Sequence, residues 1–321
     1  MTIVPADGAL LEDILDHTCE IWHEGLSRSA YGQWNRAQVK TPWARTHLQR
    51  YASIDHDGRL LATAKEYRFD VRLDGREGWM CGIGAVFTPP DRRGHGHASA
   101  LVDELVTRAG KDGALLASLF SEIGADFYAR LGFVPVPLDE VTIGVAVNRR
   151  GGAPAMLVRA GEERDLEAVA AMHITRSAGA PFALRRDAAV IHYALAKKRL
   201  LAGLGPPGLR QIEFFVAEEG ASAVAYVVLS VNANGWTLEE AGDRDPAGAR
   251  LGAMLQVLIA REPSHRPPLI RAWWPRAFGV PPQIQLTDVS VPKDLMMVKP
   301  LADVAMPKVA DEVFYWHADH F

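Results

Sequence analysis

The most informative segment of the sequence is Val86-Phe-Thr-Pro-Pro-Asp-Arg-Arg-Gly-His-Gly-His-Ala98. Its two prolines end a strand at Thr88, and the residues that follow form a loop with glycines at positions 94 and 96 that opens a helix. Backbone N–H groups of such a loop can approach a bound anion closely, and the helix presents the positive end of its dipole to that anion. The stretch therefore predicts a diphosphate site, with an ordinary strand-to-helix turn as the alternative.

Two other phosphate-binding loops do not fit this spacing. A dinucleotide-binding fingerprint would need a third glycine where Ser99 stands, and a Walker loop would need Gly-Lys-Ser or Gly-Lys-Thr after its long spacer. The stretch instead resembles the acyl-CoA loop of the GCN5-related N-acetyltransferase (GNAT) superfamily, an Arg or Gln followed by x-x-Gly-x-Gly/Ala, which Arg93, Gly96 and Ala98 match. Downstream, Leu119-Phe-Ser-Glu-Ile-Gly-Ala-Asp-Phe-Tyr-Ala-Arg-Leu-Gly-Phe133 is similar to the later strand and helix of that superfamily.

The resemblance implies where a cofactor would bind. Two strands, Trp79–Thr88 and Gly113–Phe120, are expected to splay apart and admit the pantetheine arm of acetyl-CoA, the expected cosubstrate. Main-chain groups at the end of the first strand would hydrogen-bond that arm, and N–H groups of the glycine loop would hold the diphosphate. The residues expected to bind the cofactor are Val86, Phe87, Thr88, Arg92, Arg93, Gly94, His95, Gly96, His97, Ala98 and Ser121.

The reaction that the resemblance implies is a direct attack of an amine on the acetyl thioester. Tyr128 would donate a proton to the departing CoA thiolate, which asks for a weak acid within hydrogen-bond reach of the sulfur; a core aromatic is the alternative. An amine with a pKa of about 10.4 is mostly protonated at neutral pH, so a base is also required. The sequence does not single out one carboxylate, and the candidates are Glu66, Asp70, Glu77 and Glu122.

A further candidate base is the carboxylate of Phe321, which follows the aromatic segment Val313-Phe-Tyr-Trp-His-Ala-Asp-His. The pattern Ser121-Glu122-x-Gly124 with Tyr128-x-Arg130-x-Gly132 is similar to the mycobacterial enhanced-intracellular-survival aminoglycoside acetyltransferases. In that family the terminal carboxylate reaches the active site, so Phe321 is expected to act as base or substrate anchor. The alternative is a terminal edge strand that closes the second domain. Length and ending also resemble the fungal lysine N6-acetyltransferases, which makes free lysine or another small primary amine the expected acceptor.

The chain length of 321 residues predicts two domains of similar size. The linker-like segment Asn148–Pro154 separates a catalytic acetyl-CoA-binding domain, residues 1–150, from residues 151–321, where a similar order of elements begins again. The predicted fold class is α/β (α+β), with two GNAT-like domains, each a mixed, mostly antiparallel twisted sheet flanked by helices. The second is expected to be degenerate and free of cofactor, because Ala241-Gly-Asp-Arg-Asp-Pro246 places carboxylates where a diphosphate needs donors.

Periodicity and turn signals predict the elements of both domains. The predicted helices cover residues 8–24, 96–109, 121–131, 162–177, 187–201 and 247–261. The predicted strands cover residues 51–55, 59–69, 79–88, 113–120, 156–158, 212–217, 222–231, 236–240 and 269–274. A tight turn is predicted at Asp57-Gly58, a strand pair or hairpin over 133–147, and a second helical region or a long loop over 27–48.

The second domain is expected to form one wall of the acceptor pocket. Its candidates are Trp273, Trp274, Trp316 and His317, although core packing is the commoner role for a tryptophan. The residues expected to bind the acceptor from the first domain are Trp22, Tyr31, Trp34 and Glu66.

Composition limits the partners. With 48% hydrophobic and 23% charged residues the chain resembles ordinary globular proteins, and a net charge of −4 offers no basic field for nucleic acid. No apolar run is long enough for a membrane span or a leader, so a cytoplasmic protein without nucleic-acid or membrane partners is expected. Two cysteines are too few for a disulfide framework or a zinc cluster, and no metal is expected.

These observations predict an acetyl-CoA-dependent N-acetyltransferase that modifies a primary amine of a small molecule, such as lysine, a polyamine or an aminoglycoside. Three alternatives stay open: a non-catalytic acyl-CoA sensor, acetylation of a protein or peptide amine, and a tandem enzyme with its chemistry in the second domain. The absence of a glycine loop after Trp236 disfavours the last of these. A homo-oligomer is compatible with the sequence.

Overall fold

A computed structural model describes residues 1–146, 156–263 and 267–321, so the predicted linker Asn148–Pro154 lies outside the described residues. The helices are α1 (Gly8–Trp22), α2 (Arg28–Gln38), α3 (Ala44–His47), α4 (His97–Lys111), α5 (Asp126–Ala129), α6 (Leu166–Ser177), α7 (Ala188–Leu204) and α8 (Ala249–Ile259). The strands are β1 (Thr2–Pro5), β2 (Leu48–Ile54), β3 (Leu60–Leu73), β4 (Arg76–Phe87), β5 (Leu116–Ser121), β6 (Val134–Pro135), β7 (Glu140–Val145), β8 (Leu157–Ala160), β9 (Phe182–Leu184), β10 (Arg210–Glu219), β11 (Ser222–Asn232), β12 (Gly235–Asp243), β13 (Ile270–Trp273), β14 (Ile284–Ser290), β15 (Leu295–Pro300) and β16 (Val313–Phe314).

The first sheet has the strand order β1-β2-β3-β4-β5-β15-β6, and β9 and β16 extend it beside β3. Along this order all neighbouring strands are antiparallel except β4 and β5, which are parallel. A parallel pair needs a crossover connection, and α4 supplies it. α4 buries Leu101, Leu105 and Val106 against the sheet. The predicted hairpin is present: β2 and β3 pair across a turn where Gly58 has a φ of 78°, which glycine adopts without strain.

The second sheet has the order β14-β7-β13-β12-β11-β10-β8. Here β12 and β13 are the parallel pair, and α8 joins them. The succession β8, β10, β11, β12, α8, β13 repeats the succession β1, β2, β3, β4, α4, β5 of the first sheet. Two mixed, mostly antiparallel sheets flanked by helices confirm the predicted fold class.

The two sheets exchange strands across residue 150. β7 lies between β13 and β14 in the second sheet, whereas β15 lies between β5 and β6 in the first. The hairpin predicted over residues 133–147 is therefore wrong as a pairing, since β6 and β7 belong to different sheets. Pro135 and Pro137 lack the N–H groups that a strand ladder needs, and this confines β6 to a two-residue edge strand.

The tail, residues 313–321, crosses between the two halves of the chain. β16 pairs with β9 at the first sheet, so the tail does not form an edge strand of the second sheet. Further along, Asp319 lies 3.3 Å from Arg186 Nη1, and the same guanidinium also hydrogen-bonds Glu240. All three side chains are buried, and desolvation raises the pKa of Asp319 to about 6. Removing one partner of a buried ion pair strongly destabilises the fold. The Arg186–Glu240–Asp319 triad therefore anchors the tail to the rest of the chain.

Candidate active site

Strands β4 and β5 part in the middle of the first sheet. Their parallel register runs only from Met80–Leu116 to Ile83–Leu119. Immediately afterwards β4 has a bulge, where Ala85 and Val86 stand opposite a single residue of β3, and Ala85 has a φ of 49°. An alanine in this region is strained, and such strain collects at functional sites. The strands thus splay where the resemblance placed the pantetheine arm, and backbone groups of β4 border the cleft.

The glycine loop leads directly into α4. Gly94 and Gly96 have φ values of 79° and 77°, and Gly96 is the N-cap of α4, with no acidic residue in the first turn. Among the described residues, no acceptor is hydrogen-bonded to the backbone N–H groups of positions 94–99. Arg93 holds the loop against the end of β4 by donating from Nε to the carbonyl of Thr88 at 3.2 Å. Free N–H groups at a helix N-terminus form an anion cradle, which fits a diphosphate.

The remaining predicted cofactor residues occupy different places around this loop. Arg92 pairs with Asp91 at 3.2 Å and is half-buried. The ring of Phe87 is buried against α1, with its centroid 5.9 Å from that of His17. Ser121 donates from Oγ to the carbonyl of Gly124 at 2.6 Å and thereby shapes the turn before α5.

A cavity of about 520 Å³ opens where β4 and β5 part. Elements of both halves of the chain form its wall. Its lining includes Trp22, Tyr31, Trp34, Gln38, Arg50, Lys65, Tyr67, Gly84, Ala85, Val86, Ser121, Glu122, Tyr128, Lys197, Lys198, Glu239, His317, His320 and Phe321.

Tyr128 lines the cavity. It lies on the short helix α5, is 7% exposed, and has its ring edge-on to Phe127 and Phe133. Burial, with the nearby Glu122 carboxylate as the second cause, raises the pKa of Tyr128 to about 12. The phenol therefore keeps its proton at neutral pH and can donate a hydrogen bond into the cavity. Glu122 itself is exposed at the rim of the cavity.

Phe321 lies on the cavity face of β4. Its ring packs against Tyr67 and Phe120, with centroid distances of 5.0 and 5.2 Å. A Cβ atom at Gly82 would lie 2.8 Å from this ring, and one at Gly84 would lie 3.5 Å from the carbonyl oxygen of Phe321. Neither glycine has a positive φ, so they are needed for close approach and not for backbone conformation. Two glycines two residues apart in a strand interior were the signal that sequence reasoning missed.

The acceptor residues predicted from the first domain divide into two groups. Trp22, Tyr31 and Trp34 line the cavity. Glu66 does not, contrary to its predicted role, because successive side chains of β3 point to opposite faces and Lys65 takes the cavity side. Glu66 lies under α4, where it accepts a hydrogen bond from Cys81 Sγ at 3.7 Å.

The other candidate residues are also separated. Glu77 pairs with Arg185 at 2.9 Å outside the cavity, and Asp70 lines a different cavity beside it. Of the four aromatic candidates of the second half, only His317 borders the cavity. Trp273 packs behind it, and the remaining tryptophans, Trp274 and Trp316, belong to the core beneath the second sheet.

The lysines that α7 contributes to the cavity wall were not predicted from the sequence. Lys198 Nζ lies 2.7 Å from Glu239 Oε2, and His317 Nδ1 lies 2.6 Å from the same oxygen. Lys197 Nζ donates to the carbonyl of His320 at 2.8 Å. Burial, followed by the charge of Lys198, lowers the pKa of Lys197 to about 7.

The corresponding loop of the second half is closed to an anion. The N–H groups of Arg250 and Leu251 at the start of α8 both donate to Asp243 Oδ2, at 2.9 and 3.0 Å. A carboxylate of the chain thus occupies the donors that a diphosphate would need.

Comparison with known proteins agrees with this geometry. Residues 11–136 match the family model described as "Acetyltransferase (GNAT) domain". Residues 11–136 therefore form a GNAT domain. A comparison with curated protein sequences finds no match.

Solved structures share the whole fold at low sequence identity. A probable N-acyltransferase of Enterococcus faecalis V583 has a TM-score of 0.68 at 15% identity, covering 94% of this chain and 72% of that one. A GCN5-related N-acetyltransferase of Anabaena variabilis ATCC 29413 has a TM-score of 0.68 at 10% identity, covering 94% and 73%. Another from Kribbella flavida has a TM-score of 0.61 at 17% identity, covering 92% and 70%. The similarity thus extends beyond residues 11–136 to both sheets. Among the described residues, no helix is long and apolar enough to cross a membrane.

Proposed function

We propose that this chain transfers the acetyl group of acetyl-CoA to a primary amine of a small molecule. The observation that carries the proposal is the continuity of three features along β4: free N–H groups at the start of α4, the gap between β4 and β5, and Tyr128 beside that gap. A diphosphate, a pantetheine arm and a thioester need these features in this order.

The proposed chemistry is a direct transfer. The amine nitrogen attacks the thioester carbonyl carbon, the C–S bond breaks, and the sulfur takes the proton of Tyr128. The proton that the attacking amine loses goes to the carboxylate of Phe321, whose carbonyl oxygen lies over Gly84. Glu122, at the rim, is the second candidate for that proton. The strand β4 contributes backbone N–H groups near its bulge that can polarise the thioester carbonyl.

We further propose that residues 151–321 serve the acceptor and bind no coenzyme. α7, β12 and the tail supply Lys197, Glu239 and His317 to the cavity, and Asp243 blocks the equivalent helix start. Because the cavity is about 520 Å³ and is enclosed from both halves, a small molecule fits it better than a folded protein surface.

The test is acetyl transfer by purified protein to a panel of amino acids, polyamines and aminoglycosides, followed by thiol release and by the mass of the product. Tyr128→Phe should lower kcat by roughly two orders of magnitude and leave the affinity for CoA unchanged, since only the acid is removed. Thiol release without any acetylated amine across the panel would contradict the proposal. An unchanged kcat in Tyr128→Phe would remove Tyr128 from it.

The role of Phe321 has a separate test. Appending two glycines after Phe321 moves the carboxylate away from Gly84 and should lower kcat, whereas the affinity for CoA should persist. Unchanged turnover in the extended protein would discard Phe321 as the base and favour Glu122, which Glu122→Gln would then examine.

A further inference from the structure

Arg50 lines the cavity with a positive charge that has no counter-ion among the described residues. It is 7% exposed, and its Nη1 atom has no hydrogen-bond partner. Among the described residues no carboxylate lies within 4.0 Å of its guanidinium. A buried charge without a counter-ion costs several kcal/mol, so a protein keeps one where something else supplies the opposite charge.

A neutral donor without a partner lies on the same wall. Gln38 is 1% exposed, lines the cavity, and its Nε2 atom has no hydrogen-bond partner. Asn35 is four residues after Tyr31, and Gln38 is three residues after Asn35, so the three side chains share the face of α2 that borders the cavity. The Tyr31 hydroxyl is near enough to interact with the charge of Arg50. An ionised and a neutral donor, both unpaired, therefore face the same space.

A second cation stands beside Arg50. Arg50 pairs with Lys65 in the register of β2 and β3, and Lys65 pairs with Gly84 in the register of β3 and β4. The three residues form a row across one face of the sheet. Like charges in directly opposed positions repel, and burial together with Arg50 lowers the pKa of Lys65 well below its usual range. An anion at this end of the row would relieve that repulsion.

The other end of the row is the proposed reaction centre, because Phe321 lies over Gly84. Neighbouring strands are about 4.8 Å apart, so the backbone of Arg50 lies about 10 Å from that of Gly84. A molecule that reaches from one end to the other needs an amine and a negative group separated by a chain of several carbons.

We infer that Arg50 and Gln38 bind a carboxylate carried by the acceptor, so that the acceptor is an amino acid with a distant amine and not a polyamine or an aminoglycoside. The inference rests on the proposed function. The carboxylate of Phe321 lies at the Gly84 end of the row, two strands from Arg50.

Two matched amines separate the possibilities. 6-Aminohexanoate and hexylamine share the chain and the reacting amine and differ in the carboxylate. The wild-type protein should prefer 6-aminohexanoate, and Arg50→Gln should raise the KM for this acceptor by roughly 10- to 100-fold, the range that corresponds to a hydrogen bond made by a charged group. The KM for hexylamine should rise much less, because hexylamine has no carboxylate, and Arg50→Lys should restore part of the affinity for 6-aminohexanoate.

Arg68→Gln is the matched control. Arg68 lies on the same sheet in β3, but its guanidinium stacks on Trp79, 4.1 Å from the ring centroid, on the face away from the cavity. This variant should leave both acceptors unaffected. Equal kcat/KM for the two amines in the wild-type protein would overturn the inference. An equal loss for both amines in Arg50→Gln would also overturn it, since Arg50 would then serve the Phe321 carboxylate or the fold.

A binding measurement keeps this inference distinct from the proposed function. 6-Aminohexanoate titrated calorimetrically into the protein without coenzyme should bind the wild type and bind Arg50→Gln at least tenfold more weakly. Arg50-dependent binding without acetylation of any amine would leave the carboxylate site standing and remove the proposed function. Acetylation of many amines without Arg50-dependent binding would do the reverse.

Discussion

Gly82→Ala tests whether the tail has to lie on β4. A Cβ atom at position 82 would lie 2.8 and 2.9 Å from two carbons of the Phe321 ring and 3.1 Å from Tyr67 Cβ. Carbon atoms pack at about 3.5–4.0 Å, so the ring of Phe321 must move by about 1 Å. Overpacking of this kind costs about 1–3 kcal/mol of unfolding free energy, and a displacement of about 1 Å at a reacting group lowers rates by roughly 100-fold. We therefore expect a folded protein with a greatly reduced kcat and an unchanged affinity for CoA.

The assay is the initial rate of thiol release at saturating acetyl-CoA, with the melting temperature measured on the same samples. Gly144→Ala is the control, because a Cβ there would lie 3.7 Å from Gln285, an ordinary contact. Phe321→Ala removes the ring but keeps the carboxylate, so Gly82→Ala should have little further effect in that background. A folded Gly82→Ala variant with wild-type kcat would refute the placement of Phe321 at the reaction centre.

Three further predictions follow from buried groups. Arg186→Met should lower the free energy of unfolding, measured by urea denaturation, by about 3–5 kcal/mol, since it leaves Glu240 and Asp319 buried without their cation. A loss below about 1 kcal/mol would contradict the role of the triad. Burial, with the charge of Arg186 as the second cause, lowers the pKa of His173 to about 3. Below the unfolded pKa of about 6.5 only the unfolded chain takes up this proton, so the unfolding free energy should fall by about 2 kcal/mol between pH 6.5 and 5. The fall should be missing in His173→Gln. Glu66→Gln should leave the KM for the acceptor unchanged, because Glu66 faces α4 and Cys81, and a raised KM would place it back in the cavity.

Local sequence determined the elements that surround the glycine loop. Glycines 94 and 96, the prolines before them and the apolar stripe of α4 all act within one segment, and the structure contains the predicted strand, loop and helix. Boundaries moved by a few residues, and the helix predicted over 121–131 is only α5, Asp126–Ala129, because Gly124 has a φ of 82° in the preceding turn.

Pairing between distant segments could not be read from the same patterns. β7 and β15 have ordinary strand sequences, and nothing local states that each completes the sheet of the other half. The assignment of Glu66 to the cavity was wrong for a related reason, because a shift of one residue along a strand moves a side chain to the opposite face of the sheet. The bulge at Ala85 and Val86 in β4 was also not predicted. Arg50, Gln38 and Lys197 come together only through tertiary structure.

A crystal structure with bound coenzyme A tests the central claim most directly. The diphosphate oxygens should lie within about 3.2 Å of backbone nitrogens at positions 94–99, with the pantetheine arm between β4 and β5 and the sulfur beside Tyr128. Coenzyme A bound at the start of α8, or a diphosphate that avoids the start of α4, would contradict the account.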